Sequence, residues 1–326
     1  MSAKDKLQIV LITYNRERHL SETLSTLFSD ASPVKYFDIT ILDNHSTDGT
    51  RALVEKHQST HPNLKYICHN KNIGGNANIA RAFEIATREY LWVICDDDEY
   101  DWSAWSDVEN AIDENHNVIC VADFNIPNDK RSDTAYLIHQ MGFLPSIIIS
   151  TSLLSAEAIR NIYDSTIFML PHLAPIIMHI NQGGKIFLSP RPIVHFGEHR
   201  ADSSFIRGYL PSSIFNRART MTILVAFANL IANLHDRDLA RRCFKVLIYG
   251  DHLFKIGTYR FLCDIFLHLN GHKNDMHITD LTMQAPFLLR IGIRFVHMLS
   301  NTFLYPLLTK SIVYRILRNL YDKCQK

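Results

Sequence analysis

YLWVICDDDEY, residues 90–100, sets an unbroken apolar run against three aspartates and a glutamate. A short apolar run bounded by polar residues reads as a buried strand, and the acids then mark its carboxyl end. Adjacent carboxylates repel one another by up to about 1 kcal/mol per pair even in water. A chain that concentrates them here needs a compensating cation.

Upstream, LQIVLIT (7–13), FDITIL (37–42) and LKYIC (64–68) read as further strands. RHLSETLSTLF (18–28), TRALVEKH (50–57) and NIARAFEIA (78–86) lie between them with helical periodicity, the first placing Leu20, Leu24, Leu27 and Phe28 on one face. Strand and helix in alternation predict a parallel sheet with right-handed crossovers, in which ligands bind at the carboxyl ends of strands. The residues at those ends are Thr13, Tyr14, Asn15 and Arg16; Asp43 and Asn44; Asn70, Asn72, Gly74 and Gly75; and Asp96, Asp97 and Asp98. All four ends are polar and predict one shared cleft.

The chain has 326 residues and a formal charge of +1. It is long enough for two ordinary domains, and its near neutrality offers no field for nucleic acid. Its six cysteines, at 68, 95, 120, 243, 263 and 324, are scattered and read as reduced thiols. With an N-terminus that lacks an apolar signal core, they predict a cytoplasmic protein. No run reaches the length of a membrane span. Nine acids and no lysine or arginine stand between Asp96 and Glu114, a solvated rim or part of a cation site. Further on, VICVADF (118–124), FLPSIIIST (143–151) and KIFLS (185–189) read as strand-like, LSAEAIRNIY (154–163) and LAPIIMHI (173–180) as helical, and RPIVHFGEHRADSS (191–204) as a loop-rich closing element.

Beyond about residue 205 long helical runs replace the alternation, which predicts two domains, 1–205 and 206–326. Residues 286–326 hold seven lysines or arginines against one acid. Basic amphipathic helices there would either lie on the anionic inner face of a membrane, pack on the catalytic domain, or join copies of the chain as a homo-oligomer.

ITYNR, DNHSTDGT, NKNIGGNANIARAFEIA and CDDDE, each at the end of a predicted strand and in this order, resemble the family 2 inverting glycosyltransferases. The resemblance covers residues 6–105 well and 140–205 loosely. It implies the GT-A fold, a Rossmann-like α/β architecture with a mostly parallel sheet flanked by helices, here followed by a C-terminal α-helical domain. It implies a nucleotide-sugar donor and a hydroxyl acceptor on a bacterial surface glycan (O-antigen, capsule or lipooligosaccharide), such as a lipid-linked oligosaccharide. A departing diphosphate calls for a Lewis acid, and hard oxygen ligands suit Mn²⁺ or Mg²⁺. By carry-over, Asp98 is the direct metal ligand, with Asp96 near the ribose and metal-bound water and Asp97 between them in the donor site.

The resemblance further implies that Asp43 recognises the nucleotide base, a pyrimidine, and that Thr13, Tyr14, Asn15 and Arg16 wrap the nucleotide, with packing the alternative for Tyr14. Asn72, Gly74 and Arg81 correspond to the family's third motif; Arg81 would pair with Asp96 or reach the diphosphate, or else form a surface ion pair. GEHRADSS suggests His199 as a third metal or phosphate ligand, with His195 as its neighbour, and Arg200 as a phosphate partner. Trp102 and Trp105 offer a stacking face for a sugar or anchor a loop.

The acidic pair that usually serves as base is absent: STIFMLPHLAPIIMHI has no acid between Asp164 and Ile180. Abequosyltransferase-like members, which transfer deoxy or dideoxy sugars, look similar here. His172 is therefore the expected base or acceptor-positioning residue, with Asp164 second; an ordinary imidazole, with a pKa near 6.5, suits proton acceptance at neutral pH. A nucleotidylyltransferase would need glycines after the first strand that ITYNRERH lacks. A non-catalytic glycan-binding subunit on the same scaffold is the remaining rival.

Overall fold

The computed structural model describes residues 2–124, 126–167, 170–196, 227, 230–249 and 291. Internal packing divides the chain into two compact units, Met1–Tyr209 and Leu210–Lys326.

In the first unit, nine strands are described: β1 (Leu7–Thr13), β2 (Asp38–Asp43), β3 (Leu64–Cys68), β4 (Tyr90–Cys95), β5 (Asp98–Tyr100), β6 (Val118–Cys120), β7 (Ile147–Ser150), β8 (Phe187–Leu188) and β9 (Val194–Phe196). The helices are α1 (Ala3–Lys6), α2 (Glu17–Leu27), α3 (Thr50–Gln58), α4 (Gly75–Glu84), α5 (Trp105–Asp113), α6 (Thr134–Gln140), α7 (Ala156–Asp164) and α8 (Ala174–Asn181). Seven strands form one sheet in the order β3-β2-β1-β4-β7-β6-β8, and β5 pairs with β9.

The first four strands are parallel, with Gln8 opposite Asp38 and Thr13 opposite Asp43 on one side of β1, and Leu7 opposite Tyr90 through Ile12 opposite Cys95 on the other. Strands β1 and β2 are buried along their whole length and β4 as far as Ile94. Their continuous apolar runs are what a sheet covered on both faces requires. The chain leaves β1 toward β2 and β3, then returns to the opposite side as β4. The sheet therefore changes direction between β1 and β4, and a crevice opens at their carboxyl ends.

The parallel set expected from the alternation is present in β1–β4, and β6 also pairs parallel with β8. Strand β7 runs antiparallel to both β4 and β6, so the sheet is mixed. The joint is fixed by Trp92, fully buried on β4, whose indole N–H donates to the Pro145 carbonyl at 2.7 Å. The segment read as a closing loop contains β9, which registers Phe196 against Asp98 and Val194 against Tyr100. Trp105 stacks on Trp92 and meets Phe37 edge-on, and Trp102 stacks on Tyr100 with centroids 5.2 Å apart. These two tryptophans anchor the loop after the acid cluster in the core.

Of the second unit, α9 (Arg237–Tyr249) is described; it buries Leu239, Ala240, Cys243, Phe244, Val246 and Leu247 along one side. The basic segment 286–326, apart from Ile291, lies outside the described residues. Among the described residues no helix is long and apolar enough to cross a membrane.

Trp92→Phe leaves the buried Pro145 carbonyl without its donor and opens space beside β7. Chemical denaturation is expected to show a loss of roughly 2–4 kcal/mol, and an unchanged midpoint would disprove this account of the joint.

Candidate functional site

The site grows from the two strand ends at the switch point. Thr13 closes β1, and its hydroxyl donates to Asp96 Oδ2 at 2.6 Å. The Thr23 hydroxyl, on α2, donates to the Asp96 carbonyl at 3.0 Å. Arg16, the N-cap of α2, reaches across the same gap: its Nε lies 2.8 Å from Asp96 Oδ1 and its Nη2 donates to Asp97 Oδ2 at 2.9 Å. The three side chains are only 13, 5 and 0 % exposed, so this is a buried charge cluster rather than a surface pair.

Three aspartates against one guanidinium leave a formal charge of −2. Burial pushes the Asp96 carboxyl up to about 7; Arg16 pulls it down and Asp97 adds to the rise. Cys95, Asp97 and Asp98 present their sulfur and carboxylate oxygens within 4.8 Å of one another. This is the one group of three among the described residues with the spacing of a metal site. Asp96 faces Arg16 and Thr13, while Asp97 serves both Arg16 and the metal-like trio.

The neighbouring loops are latched to each other. Asn15 adopts φ 51 and accepts from the Thr47 amide at 2.7 Å, while its own amide donates to Ser46 Oγ at 2.8 Å. Asp48 accepts from the Glu17 amide at 3.0 Å and from the Thr50 amide and hydroxyl, tying the turn before α3 to the start of α2. Asn44 donates its amide N–H to the Thr13 carbonyl at 3.0 Å and its side chain to Asn72 Oδ1 at 2.9 Å. Asn72 Oδ1 also accepts from the Gly74 amide at 2.8 Å. Gly74 has φ 87 and ψ 152, a backbone state closed to residues with a Cβ.

Asp43 is fully buried; Oδ1 accepts from the Ser46 amide and hydroxyl, and Oδ2 accepts from Tyr66 at 2.6 Å. Burial, and then the bond to Asp43, raises the Tyr66 phenol well above its usual range. Tyr14 is half-buried beside these loops.

Arg81 forms its ion pair with Glu84, 2.7 Å away and one helical turn on. The expected pairing of Arg81 with Asp96 is corrected by this: Arg16 is the guanidinium on Asp96, because the β1 loop abuts the end of β4 across the switch point, whereas Arg81 faces its own helix neighbour.

His172 is 2 % exposed on a single turn, Pro171–Leu173, that follows Leu170 at φ 73 and packs against α4. Its Nε2 donates to the Met141 carbonyl at 3.0 Å, and Nδ1 is shielded from solvent as well. Burial lowers its pKa to about 4, so the ordinary imidazole basicity expected from the sequence does not hold. Asp164 ends α7 on the surface. His195 lies opposite Glu99 in the small sheet, while His199 and Arg200 lie outside the described residues.

Sequence reasoning missed Cys95, Thr23, Ser46 and Tyr66 as contributors. Cys95 directly precedes the acids and was open to being read as a ligand; the other three carry no signal until the fold brings them to Asp96 and Asp43.

Comparison with known proteins places this geometry. The poly(ribitol-phosphate) beta-N-acetylglucosaminyltransferase TarS of Staphylococcus aureus (strain Mu50) is 30% identical over 112 residues, 34% of this chain and 19% of that protein. The chain thus spans about a fifth of the length of that relative. The abequosyltransferase RfbV of Salmonella typhimurium is 29% identical over 87 residues, 26% of each chain. Among solved structures, S. aureus TarS 1–349 in complex with UDP-GlcNAc gives a TM-score of 0.60 at 17% identity, covering 90% of this chain and 89% of that one. Mannosyltransferase PcManGT from Pyrobaculum calidifontis, in complex with GDP-Man and Mn²⁺, gives 0.53 at 15% identity over 98% and 88%. At those identities the likeness is one of fold, and the mixed sheet is GT-A-like. The glycosyl transferase family 2 model matches residues 8–188, more than half of the sequence and all of the strand ends described above, and the protein belongs to that family.

Proposed function

We propose that the protein is an inverting glycosyltransferase that moves a sugar from a nucleotide-sugar donor to a hydroxyl of a bacterial surface glycan. The observation that carries this reading is the convergence of Thr13, Arg16, Asp96, Asp97 and Asp98 on one crevice at the sheet's switch point. A relative named for transfer onto poly(ribitol-phosphate) supports the acceptor class, and one named for abequosyl transfer supports sugar transfer. The chain's division near residue 205 into a catalytic domain and a helical domain belongs to the same proposal.

The carboxylates of Asp97 and Asp98, close enough to share one ion, fit Mn²⁺ or Mg²⁺ with hard oxygen donors. Asp98 is assigned the direct bond, and the ion when bound supplies Lewis-acid stabilisation of the departing diphosphate. PcManGT, solved with GDP-Man and Mn²⁺, supports a divalent ion in this fold. Asp96 is held by Thr13 and Arg16 and orients the cluster rather than ligating.

The donor nucleotide is assigned to the rim formed by Thr13, Tyr14, Asn15, Arg16, Asp43, Asn72 and Gly74. A carboxylate has about four acceptor directions, so Asp43 retains capacity for a base N–H beyond Ser46 and Tyr66. Strand β9 ends at Phe196, opposite Asp98. By the family resemblance alone, His199 is assigned as a third metal or phosphate ligand and Arg200 to the diphosphate.

His172 is assigned acceptor positioning. A group with a pKa near 4 is neutral at pH 7 and a weak proton acceptor, and its turn packs on α4, whose N-terminus carries the Gly74 rim.

Two outcomes are expected. With Mn²⁺ and a panel of UDP, CDP, dTDP and GDP, at least one nucleotide raises the melting temperature of the wild type. Asp98→Ala abolishes that shift and lowers metal-dependent hydrolysis of the matching nucleotide-sugar by about 10²-fold or more; full retention of both would exclude this metal site.

For His172, the folded pKa of about 4 lies below the unfolded value of 6.5, so the unfolded chain takes up the proton first as the pH falls. The stability contributed by the neutral ring is complete above pH 6.5 and is lost progressively toward pH 4, on the order of 3 kcal/mol in all. His172→Gln is expected to flatten that part of the pH–stability curve and to lower turnover while leaving the donor KM near the wild-type value. A variant with a wild-type curve and wild-type turnover would remove His172 from the proposal.

A further inference from the structure

Asp97 belongs to two arrangements at once. Its Oδ2 accepts from Arg16 at 2.9 Å, and its carboxylate is also part of the trio with Cys95 and Asp98 whose ligand atoms lie within 4.8 Å. A divalent ion bound by that trio sits beside a guanidinium that shares one of its carboxylates. The two cations repel, and the buried setting screens them poorly. Arg16 cannot relieve the conflict by losing its proton.

The anchoring of Arg16 is lopsided. Its backbone is the N-cap of α2 at φ −136 and ψ 41, following Asn15 at φ 51, in a loop held to the β2 loop by Ser46 and Thr47. The backbone is fixed, and the side chain is ion-paired with two carboxylates, Asp96 and Asp97. Asp96 has a second attachment, the Thr13 hydroxyl at 2.6 Å. Among these contacts, the Arg16 bond to Asp97 is the one an ion in the trio weakens, because both cations draw on the same carboxylate.

We propose that Arg16 is an exchangeable counter-ion which ties metal uptake to donor binding. With no nucleotide bound, its guanidinium neutralises Asp97 and holds down the trio's affinity for a divalent ion. A nucleoside diphosphate offers the guanidinium a second anionic fork, Asp97 is released to the ion, and metal and nucleotide bind cooperatively. By linkage the metal raises nucleotide affinity by the same factor. This rests on the proposed donor and metal sites and adds a role for Arg16 that neither requires.

The experiment measures Mn²⁺ binding to the full chain by water-proton relaxation enhancement, which reports Mn²⁺ on a slowly tumbling protein, alone and with UDP, CDP, dTDP or GDP as the nucleotide probe. In the wild type the effective nucleotide is expected to tighten Mn²⁺ binding by about tenfold or more, the equivalent of about 1.4 kcal/mol. Arg16→Gln is expected to bind Mn²⁺ without nucleotide about tenfold more tightly than the wild type and to lose most of the nucleotide enhancement. Arg16→Lys, which keeps the charge but not the fork, is expected to fall between them and covers the case of a glutamine variant that does not fold, judged by circular dichroism. Nucleotide-free affinity equal to or weaker than wild type in the folded variants overturns the proposal. Failure of wild-type protein to take up Mn²⁺ with any of the four nucleotides overturns the proposed function as well, whereas nucleotide-dependent uptake unaltered by substitution at Arg16 overturns this inference alone.

Discussion

One guanidinium on two buried carboxylates holds the centre of this molecule. Arg16 leaves the loop after β1 and meets Asp96 and Asp97 at the end of β4, across the point where the sheet reverses its order. Parallel strands expose the same kind of end on one edge, and side chains of opposite sign must meet there if the edge is to be both charged and buried. Thr13 and Thr23 then satisfy the remaining acceptors of Asp96, its carboxylate and its carbonyl. Removing one partner from such a set costs more than the set contributes when complete, which binds Arg16, Thr13 and Thr23 to Asp96 as a unit.

The early fold was legible because it is built from local signals. LQIVLIT, LKYIC and YLWVI are strands within a residue of their apolar runs, and the helices between them follow their periodic faces. What followed was harder. Strand β7 is a buried apolar run like its neighbours, and nothing in IIIS says that it runs antiparallel; that is decided by the long excursion through α5, β6 and α6 and by Trp92 finding Pro145. Strand β9 escaped notice because three residues among prolines, glycines and charges carry no period, and its pairing with β5 is a tertiary contact.

The site shows the same division. Which strand ends are polar is a property of the sequence; which polar group meets which is not. The family motif offered Arg81 as a partner for Asp96, and only the switch-point geometry gives that place to Arg16. For His172 the sequence shows the residue type but not the burial that moves its pKa from the ordinary value to about 4, since the turn that carries it is packed against α4 and α7.

The mutual latching of the rim loops has a consequence for how this scaffold can be diversified. Asn15 is tied to Ser46 and Thr47, Glu17 to Asp48, Asn44 to both Thr13 and Asn72, and Asn72 to Gly74. No one of these turns is shaped by its own residues alone, so a turn transplanted singly from a relative would arrive with half of its fastenings missing. The three turns therefore hold their shape as one unit, and any exchange has to carry all three together.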